Sequence, residues 1–183
     1  MAVKTFTTGE VLTASDTNTY LANSGLVYVT GTTIGSGVSS VTVSNCFSST
    51  YDNYLIVANS TGSAAHSIAI SLGSSTTGYY GMLIYGDSLV GTVQGANRNN
   101  AAQMNWIGGC SGANESSITR VEVFGPYAAA YTRIINGHYN DGSAYGTMQG
   151  EHRVATSYTA FTLTPNSGTL TGGTVTVYGY RKA

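Results

Sequence analysis

The sequence predicts an all-β protein, an antiparallel jelly-roll-like β-sandwich preceded by a short N-terminal helical anchor. Three observations carry this. Beyond Gly25, apolar residues alternate with small polar ones at period two in one segment after another. Glycine-rich turns separate those segments at short intervals, as in sandwiches and jelly rolls. No helical stretch stands between two strands, so nothing can serve as the crossover that parallel neighbours need. The division that follows is an anchor over residues 1–25 and a head over residues 26–183.

The only helix signals lie between Lys4 and Gly25. Thr13 followed by Asp16 fits a capping box, in which hydroxyl and carboxylate satisfy free N–H groups at a helix start. A helix from Ala14 to Asn23 is expected, with Gly25 taking the left-handed position past its end. A helix this short is marginal in water, because nucleation costs more than so few hydrogen bonds return. It needs a surface to dock on.

The strands follow in order. Leu26 to Thr30 leads out of the anchor, and Val41 and Val43 flank Thr42 in a second, half-buried strand. Tyr54 to Ala58 is continuously apolar, which suits a central strand covered on both faces. His66, Ile68, Ile70 and Leu72 alternate with Ser67, Ala69 and Ser71, which places His66 on the apolar face as a hydrogen-bonded core or interface histidine. Met82 to Tyr85 and Met104 to Ile107 are further apolar runs. Between them Asp87 to Ala102 is the longest polar connection, expected to be an exposed loop. Val121 and Val123 alternate with Arg120 and Glu122, an expected ion pair, and Gly125-Pro126 closes that strand. Tyr131 to Tyr139 and Tyr145 to Val154 are joined by Asn140-Asp141-Gly142, whose Asp-Gly pair favours a hairpin turn with positive φ. Phe161 and Leu163 mark the next strand, Pro165 to Gly168 turns, and Gly172-Gly173 opens the last, Thr174 to Tyr180. The count is roughly ten.

Composition narrows the function. The chain has 183 residues, enough for one domain, and only 8% are charged, against about 25% in an average soluble domain. A net charge of −1 with no Lys/Arg cluster gives no footprint for phosphate backbones or anionic lipids. Nucleic acid and membrane insertion are therefore not expected. The start of the chain lacks the apolar core of a signal peptide, so synthesis in the cytoplasm and exit by a route such as lysis are expected. Cys46 and Cys110 are the two cysteines, and with no Cys-x-x-Cys they read as reduced, buried thiols.

No catalytic, cofactor or metal site emerges. Gly35-x-Gly37 stops short of a dinucleotide fingerprint, and Gly109-Cys110-Ser111-Gly112 lacks the spacing of a nucleophile elbow. Glycoside hydrolysis needs two flanking carboxylates. Asp52, Asp87, Glu115 and Glu151 remain once the anchor, the turn and Glu122 are set aside, and no spacing pairs them. His138 and His152 fall on neighbouring strands and could approach each other, yet two histidines without a third ligand make a weak metal site. Among fourteen tyrosines, Tyr79 and Tyr80, together with Tyr139 and Tyr145 at the turn, are candidates for stacking on sugars, although tyrosine is also simply a good strand former. Asn97, Arg98, Asn99 and Asn100 on the polar connection complete a possible glycan-binding set.

Several blocks carry a resemblance. They are Lys4-Thr5-Phe6-Thr7 with Gly9-Glu10-Val11-Leu12-Thr13-Ala14 and Asp16, Asn18, Tyr20-Leu21 and Asn23; Cys46 to Tyr54; Thr77 to Gly81; Gly125-Pro126-Tyr127; and Gly172 to Lys182. Together they resemble bacteriophage virion structural proteins of the tail-fibre, minor-tail or head-decoration kind. The resemblance implies a non-enzymatic oligomer, a homotrimer, attached to capsid or tail through its N-terminus and exposed on the particle surface. Phe6, Val11, Leu12, Tyr20 and Leu21 would be buried by another virion chain. The alternatives are a receptor-binding head that contacts host-surface glycan and, behind that, a polysaccharide depolymerase.

Overall fold

The computed structural model describes residues 5–17 and 25–182. At the N-terminus one helical turn, α1 (Ala14–Asp16), carries the expected capping box: the Asp16 amide donates to Thr13 Oγ1 at 3.1 Å and the Thr13 amide to Asp16 Oδ2 at 3.2 Å. The rest of the expected helix, with Tyr20 and Leu21, lies outside the described residues. Gly25 has φ +90°, in the left-handed region that favours glycine.

Twelve strands follow: β1 (Leu26–Thr33), β2 (Val41–Val43), β3 (Asn53–Gly62), β4 (His66–Leu72), β5 (Tyr79–Asp87), β6 (Val93–Ala101), β7 (Met104–Cys110), β8 (Ser116–Phe124), β9 (Thr132–Asn140), β10 (Ala144–His152), β11 (Phe161–Pro165) and β12 (Leu170–Tyr180). Every pairing between them is antiparallel. The trunk runs β1-β12-β3-β8. At β8 the sheet divides. Its free edge pairs with β7 at Thr119 and Ile118 and with β9 from Glu122 to Phe124. From β7 one branch continues through β4 and β11 to β2, and from β9 the other continues through β10 and β5 to β6.

The two branches pack on each other through β7, which lies against β9, β10, β5 and β6. One core cluster draws residues from trunk and both branches, among them Ile56, Val121 and Val177 from the trunk, Ile70 and Met104 from the first branch, and Ile134 and Met148 from the second. All seven are fully buried, a burial of about 1.5–3 kcal/mol for each large aliphatic side chain. Alternation in the sequence maps well here: β8 buries Val121 and Val123 and turns Arg120 out, as period two requires.

Three expectations need correction. The connection Asp87 to Ala102 is not a loop, because residues 93–101 form β6, paired with β5 along its length. β6 is an edge strand that offers the core only small residues such as Ala96 and Ala101, while Asn97 and Asn99 are exposed, so it shows no apolar alternation. Glu122 does not pair with Arg120; it accepts a hydrogen bond from the Tyr180 hydroxyl, which reaches it from β12 across β3. Gly172-Gly173 forms a bulge inside β12 and does not open it.

His138 and His152 stay apart. His152 stands opposite Thr132 at one end of the β9–β10 ladder, whereas His138 is near the other, where Tyr139 faces Gly146. His152 is fully buried, stacked on Tyr79 at 4.2 Å between centroids and hydrogen-bonded through Nε2 to the Tyr158 hydroxyl at 2.7 Å. Its Nδ1 makes no hydrogen bond. Burial therefore holds its pKa below the ordinary value of 6.5. The folded protein prefers the neutral ring, and the unfolded chain takes up a proton near 6.5, so stability is complete above that pH and falls as pH drops beneath it. The urea midpoint is expected to fall more between pH 7.5 and 5.5 in the wild type than in His152→Gln. Equal falls would show that His152 does not titrate with unfolding.

Candidate functional site

A cleft of about 420 Å³ lies where the two branches meet. Its walls come from six parts of the chain: the start of β4, the end of β5, the middle of β6, β7 with Ser111 beyond it, the β9–β10 turn, and Asn166 after β11.

The turn is built on Asp141. Its Oδ1 accepts from the Ala144 amide at 2.7 Å, the Ser143 amide at 3.0 Å and the Ser143 hydroxyl at 3.1 Å, and its Oδ2 accepts from the Tyr139 hydroxyl at 2.7 Å. Burial pushes this carboxyl's pKa up, but these hydrogen bonds outweigh burial and hold it below the usual carboxylate value. Asp141 is thus ionised at neutral pH and fully occupied with its own turn. Gly142 completes the turn with φ +91°, and a Cβ there would lie 2.6 Å from Ser111 Oγ, so the turn packs directly on the cleft rim.

His66 and Cys110 lie side by side at the edge, both nearly inaccessible. His66 Nδ1 is 2.9 Å from the Ala64 carbonyl, which can only accept, so Nδ1 carries the proton. Nε2 then accepts from the Ser117 hydroxyl at 2.9 Å. The expected hydrogen-bonded core histidine is what the structure shows. Cys110 Sγ lies 3.4 Å from Nδ1, the nitrogen that has no lone pair to offer, and burial raises the thiol pKa. The thiol stays protonated and directs its proton to the carbonyls of Gly112 or Ala64. Cys46, also buried and free, has its pKa pushed up to about 12 by burial. Among the described residues no group of three or more His, Cys, Asp or Glu side chains could hold a metal ion.

The glycan candidates do not converge. Tyr79 is fully buried and its hydroxyl accepts from the Leu72 amide at 2.6 Å, so it offers no stacking face. A residue at the buried end of an alternating pair cannot be told from its exposed neighbour until the register is known. Tyr80 is half-buried beneath the Arg153 guanidinium, 4.2 Å from the ring centroid. Asn100 has φ +54° and its Oδ1 accepts from the Gly78 amide and the Thr77 hydroxyl, which makes it a turn residue. Arg98 lies over the Trp106 ring at 4.3 Å. Asn97 and Asn99 are exposed, and Asn97 faces Met82 in the ladder. Tyr139 is buried on Asp141 and Tyr145 is half-exposed.

Of the anchor candidates, Tyr20 and Leu21 lie outside the described residues and the other three are exposed. Residues 5–15 are exposed throughout, with Phe6 at 37%, Val11 at 78% and Leu12 at 50%. What residue patterns missed is Trp106. Met104-Asn105-Trp106-Ile107 reads as an ordinary apolar run, yet Trp106 sits in a bulge and lines the cleft. Comparison with protein-family models, with curated proteins and with solved structures finds no match.

Proposed function

We propose that this chain is a non-enzymatic structural component of a bacteriophage virion: a surface appendage, fixed to capsid or tail by residues 1–25, whose jelly-roll-like head over residues 26–183 projects outward. One observation carries the proposal. The core cluster begins at Ile34 and takes nothing from the described part of the N-terminal segment, while Val11 and Leu12 stand exposed beside a fully formed capping box. Apolar residues on a locally ordered segment that the head's core does not use fit attachment to another chain. Resemblance of that segment to virion proteins supplies the kind of partner. A trimer fits the same logic, because copies meeting at the anchor would share the burial of Val11 and Leu12.

Deleting residues 1–24 is expected to leave a head that melts as the full chain does and is absent from purified particles. Normal incorporation of the truncated chain would overturn the proposal. Sedimentation of the full chain as a monomer at micromolar concentration would remove the trimer from it.

A further inference from the structure

The cleft holds polar groups that the protein itself leaves unused. Ser67 is 9% exposed, and its backbone is committed, the amide to Asn166 Oδ1 at 2.9 Å and the carbonyl to the Asn166 amide at 3.0 Å, but its hydroxyl makes no hydrogen bond. Asn166 spends its side-chain oxygen on Ser67 and keeps its Nδ2 donor free. Asp87 caps the β5–β6 turn with Oδ1, accepting from Leu89 at 2.7 Å and Val90 at 3.3 Å, and keeps Oδ2 free. A hydroxyl, an amide donor and a carboxylate acceptor thus belong to residues that line one cavity.

The apolar side of the cavity is maintained at a cost. Trp106 has φ +66°, a conformation in which a bulky side chain is a genuine outlier. It is placed there by a bulge: Ile68 pairs with Gly108 and Ile70 with Met104, so three residues of β7 oppose the single Ala69 of β4. The strained peptide is held by Asn136, 1% exposed, whose Nδ2 donates to the Trp106 carbonyl at 3.3 Å. Strain of this kind persists where the surroundings over-determine it, and it clusters at ligand sites. Trp106, Tyr85 and Ala96 line the cleft together with the polar groups.

We infer that this cleft binds a single sugar residue, neutral or amine-bearing, with Ser67, Asn166 and Asp87 hydrogen-bonding its hydroxyls and Trp106 covering its C–H face. At about 420 Å³ the cleft is within the size range of small-molecule sites, and its largely polar lining with Trp106 and Tyr85 suits a hydroxylated ligand. Sugar hydroxyls both donate and accept, which matches the mixture of a free acceptor, a free donor and a hydroxyl that can do either. Charge selects within that class. Asp87 and Asp141 line the cleft and no Lys or Arg does; Arg98 rests over the Trp106 ring and is not part of the lining. Uronic acids and sugar phosphates would meet repulsion, and a protonated amine would be attracted. The inference does not depend on attachment to a particle.

The test uses the full chain and saturation-transfer NMR with titration calorimetry against neutral hexoses, hexosamines with a free amine, and hexuronic acids. At least one neutral or amine-bearing sugar is expected to bind and every uronic acid to fail. Ser67→Ala removes only the free hydroxyl and should weaken binding about fivefold, one hydrogen bond's worth. Asp87→Asn keeps the Oδ1 cap and converts the free acceptor into a donor, so about tenfold or more is expected. Both variants should melt with the wild type. Absence of binding across the panel, equal binding of uronic acids, or affinities untouched by both substitutions would overturn the inference. Particle incorporation is not read in this assay, so its failure and failure of the attachment proposal are separable.

Discussion

Gly108→Ala is expected to lower the stability of the head by about 3 kcal/mol. Gly108 pairs with Thr119, one of the two paired positions of the β7–β8 ladder, at the point where the sheet divides. A Cβ at this position would lie 2.0 Å from the Ile118 carbonyl oxygen and 2.6 Å from Thr119 Oγ1. The first of these is backbone in a strand already fixed along its other edge by β3, so it cannot swing aside. β7 would have to lift from β8, with Ile107 and Met104 lifting from the core behind it. For a domain of this size such a loss corresponds to a melting temperature about 6–12 °C lower. Gly86→Ala is the control, since a Cβ there meets nothing within 4 Å and no positive φ is involved. Equal melting of the two variants would show that the junction yields, against the fold described here.

The second large effect concerns Met104, fully buried at the centre of the packing between branches. Met104→Ala should cost about 3 kcal/mol, from lost transfer energy and the cavity left behind. Gly81→Ala should also destabilise, because its Cβ would meet Met104 Sδ at 2.7 Å, Cε at 3.0 Å and the Gln149 carbonyl at 3.1 Å. Combined, the two changes are expected to cost less than their sum by about 1 kcal/mol, since the new methyl enters the space the thioether vacates. Urea denaturation of the four proteins measures this. Strict additivity would mean that β5 and β7 do not share that contact.

How far the sequence foretold the molecule depends on the range of the physics involved. Local signals were legible: the Thr13–Asp16 cap, the Asp141-Gly142 turn and the alternation in β8 each rest on residues a few positions apart. β6 was hidden because an edge strand with one solvent-facing side and alanines on the other looks like a polar loop. The bulge at Trp106 was hidden because it is a mismatch between two strands, which neither strand shows alone. The cleft joins Ser67, Asp87, Trp106, Asp141 and Asn166, and no spacing brings such residues together. Only the path β2-β11-β4-β7-β8-β9-β10-β5-β6 does, and that path is set by the summed burial of all strands.

The position of β12 has its own consequence. The last of the twelve strands described is an interior strand of the trunk, pairing with β1 on one side and β3 on the other. β1 gains its neighbour, and β3 the second of its two, only when residues 170–180 have been made. The head therefore cannot finish folding until residues 170–180 have left the ribosome, and its closing step joins strands far apart along the chain, the slow regime for β proteins. Until β12 arrives, the edges of β1 and β3 that it will occupy stand unpaired, and that interval is when a growing chain is most open to pairing with a copy of itself.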